Sequence, residues 1–67
     1  MITVTVNGQP HTLEEPATAA TLIEQMELTG KRLAMELNEE IIPRSEYATT
    51  ELKDGDQIEI IHAVGGG

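Results

Sequence analysis

The residues with the most distinctive chemistry in this chain are glycines. The sequence ends in Gly65-Gly66-Gly67, directly after the run Ile60-Ile61-His62-Ala63-Val64. Glycine has no side chain, so a Gly-Gly end fits a channel too narrow for other residues. Three extended residues reach about 10 Å, enough to carry a carboxylate into another protein's active site. A carboxylate delivered there can attack a phosphorus centre and become an acyl phosphate ester, open to a strong nucleophile. A frayed terminus or a cloning scar is the competing reading of a glycine triplet. A scar brings linker or tag composition, and none intervenes here. The expectation is a reactive terminus at Gly67, with Gly65 and Gly66 as the slim stem that enters a partner's active site.

Other reactive side chains have ordinary explanations. His11 and His62 fall in alternating strand patterns, and no second His or Cys stands at ligand spacing, so both read as strand residues at the rim of a core. The chain has twelve Asp and Glu. Glu39-Glu40 and Asp54/Asp56 fall in turns, and an acid–base pair needs a pocket to separate its pKa values. Asp54-Gly55-Asp56 is too short for a calcium loop. Met26 and Met35 read as core filler, and Lys31-Arg32 as a solvated loop. No catalytic residue, metal ligand or bound cofactor is expected, and the chain is read as something acted upon, not as an enzyme.

Composition narrows the class further. With four Lys and Arg against twelve Asp and Glu, the formal net charge is −8. Phosphate backbones repel such a surface, and Tyr47 is the sole aromatic, which excludes a base-stacking nucleic-acid module. No apolar run approaches the roughly 20 residues that span a bilayer, and Met1 leads into an alternating pattern unlike a signal peptide. A cytoplasmic protein, monomeric when alone, is expected. At 67 residues it holds one domain, which buries only about 60% of the surface its unfolded chain exposes and is correspondingly marginal in stability.

The elements that must position the tail follow from periodicity. Ile2, Val4 and Val6 alternate with threonines, a half-buried strand. Asn7-Gly8 is the strongest short hairpin signal. A two-residue turn sets Val6 opposite Gln9, Val4 opposite His11 and Ile2 opposite Leu13. Pro10 then lies opposite Thr5 with no N–H to give outward, which requires the second strand to be an edge. Thr18 is an N-cap, and Ala19, Leu22, Ile23 and Met26 mark one face of a short helix. Gly30 is expected to end that helix or the loop after it. Leu33, Met35 and Leu37 predict a third strand, Asn38-Glu39-Glu40 a turn, and Ile41-Ile42 a short strand stopped by Pro43. Residues 44–53 read as irregular with Leu52 as a core anchor. Asp54-Gly55-Asp56 is a turn, and Ile58, Ile60, His62 and Val64 predict the last strand. The order β-β-α-β-β-β is that of an α+β β-grasp domain over 1–64, a mixed five-stranded sheet with one main helix on one face, followed by a flexible tail over 65–67; with its Gly-Gly end this pattern resembles the ubiquitin-like β-grasp proteins. The helix crossover sets the last strand parallel to the first at the centre of the sheet.

On these residues the chain resembles the bacterial sulfur carriers of thiamine biosynthesis, the ThiS family. The resemblance rests on Ile2-Thr3-Val4-Thr5-Val6-Asn7-Gly8, Thr18 with Leu22-Ile23-Glu24-Gln25, Glu36-Leu37-Asn38 leading to Ile41-Ile42-Pro43-Arg44, Asp54-Gly55-Asp56-Gln57-Ile58-Glu59-Ile60, and the glycine end. Gly-Gly alone is shared with the sulfur carrier of molybdopterin synthesis and with ubiquitin-like modifiers. Some family members carry an aromatic in the last strand where this chain has Ile60 and Ile61. The resemblance implies a carrier whose Gly67 carboxylate is adenylated by a ThiF-like enzyme using ATP and magnesium. A sulfur donor enzyme would convert the adenylate to a thiocarboxylate, and a ThiG-like thiazole synthase would accept the sulfur. A molybdopterin carrier, or an interaction or modifier module without sulfur transfer, is the alternative.

Overall fold

The computed structural model describes residues 1–62. The expected tail Gly65–Gly67, the close of the last strand at Val64 and the domain boundary between 64 and 65 lie outside the described residues.

Strand β1 (Ile2–Val6) and strand β2 (Gln9–Leu13) form the expected hairpin, with Val6 opposite Gln9, Thr5 opposite Pro10 and Ile2 opposite Leu13. Asn7 and Gly8 both have positive φ, at 50° and 83°, the conformation that a two-residue turn needs to match strand twist. Helix α1 spans Ala19–Gln25. Thr18 caps it reciprocally with Thr21: the Thr21 N–H donates to Thr18 Oγ1, and the Thr18 N–H to Thr21 Oγ1, each at 3.2 Å. The next donors are satisfied by a distant loop, Ala19 N–H by the Thr50 carbonyl and Ala20 N–H by that of Tyr47, both at 2.9 Å. The first turn of the helix thus leaves no donor bare.

Of the two places expected for Gly30, the helix end and the loop after it, the structure shows the second. Glu27 takes the left-handed position, with φ of 61°. The Leu28 N–H reaches back to the Ile23 carbonyl at 2.9 Å and the Glu27 N–H to that of Glu24 at 3.0 Å. This paired closure is the Schellman arrangement, built here on a residue with a Cβ. Gly30, with φ of 83°, sits in the following turn, where Lys31 N–H donates to the Leu28 carbonyl.

Strands β3 (Leu33–Leu37) and β4 (Glu40–Ile42) follow, joined by Asn38-Glu39 alone. Glu40 belongs to β4 and pairs with Leu37, so the turn is one residue shorter than the sequence suggests. The irregular segment contains a 3-10 turn over Arg44–Glu46. Strand β5 (Gln57–His62) completes the sheet. The strand order is β2-β1-β5-β3-β4. As expected, β5 is central and parallel to β1, and the proline-bearing β2 is an edge. Val4, Val6, Leu13, Ala19, Leu22, Met35, Leu52 and Ile58 are among the residues that close the core between helix and sheet. Met35 is fully buried there, and Met26 packs against the edge of the same cluster.

Candidate functional site

The strand that precedes the glycines is held on both sides in the sheet. On one side β5 pairs with β3 from Leu37 opposite Ile58 to Leu33 opposite His62. On the other it pairs with β1 at Gln57 and Ile58, where β1 ends. The Asn7 N–H still reaches the Ile58 carbonyl at 2.9 Å. The Asn7 side chain then supplies the next rung itself. Its Nδ2 donates to the Ile60 carbonyl at 3.0 Å, and its Oδ1 accepts from the Ile60 N–H at 2.9 Å. A carboxamide presents an N–H donor and a carbonyl acceptor in one plane, as a peptide does, so it continues the ladder after the backbone has turned away.

Asn38 does the same at the start of β5. Its N–H donates to the Gln57 carbonyl at 2.7 Å and its Oδ1 accepts from the Gln57 N–H at 3.0 Å. Its Nδ2 donates to Asp56 Oδ1 at 3.1 Å. Asp56 Oδ2 accepts from the Lys53 N–H, and Asp54 Oδ1 from the Thr3 N–H, both at 2.8 Å. Asp54 and Asp56 therefore tie the turn before β5 to its neighbours. That is a structural use of both carboxylates, not an acid–base pair.

The face of the sheet opposite the helix is open. Alternation puts Thr3, Thr5, Ala34, Glu36, Ile41, Gln57, Glu59 and Ile61 on it. Ile41 is 73% exposed and Ile61 is 70% exposed. Ala34 stands opposite Ile61, and Glu36 opposite both Ile41 and Glu59. Like charges directly across a strand pair are unfavourable.

The histidines stay apart, His11 half-buried on β2 and His62 exposed at the end of β5 opposite Leu33. Among the described residues no group of His, Asp or Glu is placed to hold a metal ion. Glu39 and Glu40 are both exposed at the β3–β4 turn. The expected site residues Gly65, Gly66 and Gly67 lie outside the described residues. The structure describes the strand that precedes them in the sequence, up to His62. The sequence marked Asn7 and Asn38 as turn residues, and their second role as β5 clamps has no one-residue signature.

The model of the ThiS family matches residues 4–67. The chain belongs to the ThiS family. The sulfur carrier protein ThiS of Bacillus subtilis is 41% identical over 54 residues, which cover 81% of this chain and 82% of that protein. The crystal structure of the thiamine biosynthesis protein ThiS from Geobacter metallireducens matches with a TM-score of 0.81 at 32% identity, covering 98% of this chain and 100% of that one. The thiazole synthase of Paramagnetospirillum magneticum is 34% identical over 62 residues, 92% of this chain but 19% of the synthase. A ThiS-like stretch thus forms a small part of that longer protein. The five-stranded sheet with one helix is the ThiS β-grasp fold. Among the described residues no helix is long and apolar enough to cross a membrane.

Proposed function

We propose that this chain is a sulfur carrier of thiamine biosynthesis, with the Gly67 carboxylate as the point of attachment. The observation that carries the reading is a family match that runs to Gly67, on a fold whose central, doubly clamped strand leads towards that residue. A carboxylate oxygen of Gly67 attacks the α-phosphorus of ATP in a ThiF-like enzyme and pyrophosphate leaves. A persulfide on a donor enzyme then attacks the acyl carbon and AMP leaves, giving an acyl disulfide; a thiol attacks the donor sulfur of that S–S bond, forms a disulfide with it, and releases the terminal acyl group as a thiocarboxylate. The chain has no cysteine, so no thiol of its own carries the sulfur, in keeping with attachment at the terminal acyl group. A ThiG-like synthase accepts the sulfur. The thiazole synthase relative supports that acceptor over a molybdopterin enzyme. ATP and magnesium belong to the activating enzyme, and this chain acts as carrier and not as catalyst.

The test is ATP–pyrophosphate exchange with a ThiF-like enzyme. Deleting Gly67, or adding one residue after it, should abolish or strongly reduce exchange and leave the thermal melt unchanged. A misplacement of about 1 Å can cost roughly a hundredfold in rate. Exchange at the parent rate in either variant would replace the carrier reading with an interaction module.

A further inference from the structure

The cations of this acidic chain are few and unevenly placed. They are Lys31, Arg32, Arg44 and Lys53. Lys53 pairs with Glu51 at 3.5 Å. Among the described residues the other three make no ion pair, although twelve carboxylates are present. Lys31 and Arg32 immediately precede Leu33, which stands opposite His62 at the outgoing end of β5. Arg44 opens the 3-10 turn after β4. Lys31 and Arg44 border the same cleft, of about 200 Å³, with Ile23, Leu28, Leu33 and Tyr47 among its walls. Among the described residues Glu24 is the one carboxylate that lines it. Tyr47, the sole aromatic of the chain, is only partly buried there.

We propose that this cleft is a docking socket for an acidic, apolar-tipped segment of an enzyme that takes up the tail; the identity of that partner rests on the carrier reading. One apolar side chain of the partner enters between α1 and the 3-10 turn, and flanking carboxylates meet Lys31 and Arg44. The argument is charge complementarity. At a net −8, the rest of the surface selects for basic partners, and this cleft selects for the opposite sign. Complementary patches of both signs fix the orientation of an encounter, which a single sign cannot do. Tyr and Arg beside an apolar pocket are also the residue types that dominate interface energetics. Because the cleft adjoins the outgoing end of β5, a partner that holds the tail is within reach of it.

The test turns on a sign. Arg44→Glu and Lys53→Glu change the net charge equally, one at the cleft and one before the start of β5. Association is measured by stopped flow with a ThiF-like adenylating enzyme and, separately, with a thiazole synthase, and thermal melts confirm folding. Steering by net charge alone towards a basic partner makes both variants bind faster. The socket makes Arg44→Glu bind about threefold to tenfold more slowly to at least one enzyme, with Lys31→Glu in the same direction and Lys53→Glu unaffected or faster. If Arg44→Glu associates with both enzymes as fast as Lys53→Glu, the socket is wrong and the carrier reading stands. If the parent chain binds neither enzyme, the partner assignment and the socket fall together.

Discussion

Replacing Asn7 by glycine isolates the clamp on β5. Glycine adopts the φ of 50° found at this position without strain, so the turn survives and only the side-chain amide is lost. Two hydrogen bonds to Ile60 disappear, at 3.0 and 2.9 Å, both partly buried. Each contributes a net of about 0.5–1.5 kcal/mol, which gives a cost of about 1–3 kcal/mol. The lower part of that range applies where water takes the place of the amide on the Ile60 backbone. Asn7→Ala loses the same bonds and adds a left-handed alanine, a further cost of about 1 kcal/mol. Urea denaturation of the three proteins measures both steps. Amide hydrogen exchange adds a local reading: the Ile60 N–H should lose protection in Asn7→Gly by more than the global loss of stability accounts for. If Asn7→Gly lies within about 0.3 kcal/mol of the parent and Ile60 remains equally protected, the amide is not a rung of the ladder and the clamp is refuted.

Leu22 is fully buried on the helix face, so Leu22→Ala should cost about 2–5 kcal/mol in a urea melt, and a cost under about 0.5 kcal/mol would mean the helix does not pack on the sheet. Glu27 holds the left-handed position at the helix end, so Glu27→Gly should stabilise by about 1 kcal/mol; a loss of stability would argue against the Schellman closure. At a net charge of −8, association with the activating enzyme should slow as salt rises, and a salt-insensitive on-rate would remove electrostatic steering from the account. Gly66→Ala should impair adenylation without shifting the melt, since a Cβ must then enter a channel shaped for none; undiminished exchange would contradict a narrow channel.

Much of the fold is legible because short-range rules and tertiary needs agree. Asn7-Gly8 set the hairpin register, and Pro10 then had to face outward, which made β2 an edge and left β1 to pair with β5. Alternation placed Ile58 and Ile60 inward and so left Ile61 outward. The helix end was not legible in the same way. Gly30 carries the stronger sequence signal, yet Glu27 takes the left-handed position because Leu28 can then fold back to the Ile23 carbonyl and pack on the core. The segment after Pro43 looked irregular, and its Tyr47 and Thr50 carbonyls cap α1. Backbone acceptors leave no mark on side-chain pattern, so this role waits for tertiary structure. The cleft beside Lys31 and Arg44 is hidden for a related reason, since its walls come from α1, the loop after it, β3 and the 3-10 turn. The tail was the reverse case, chemically conspicuous in sequence and outside the described residues.

The central claim is that sulfur travels on the Gly67 carboxylate. Intact-mass spectrometry of the protein purified from cells making thiamine, with fragmentation to locate any change, tests it most directly. The account predicts a fraction of chains in which one oxygen of the Gly67 carboxylate is replaced by sulfur, lost when the adenylating enzyme is deleted. An unmodified carboxylate under every condition, or an isopeptide bond from Gly67 to a lysine, would contradict it.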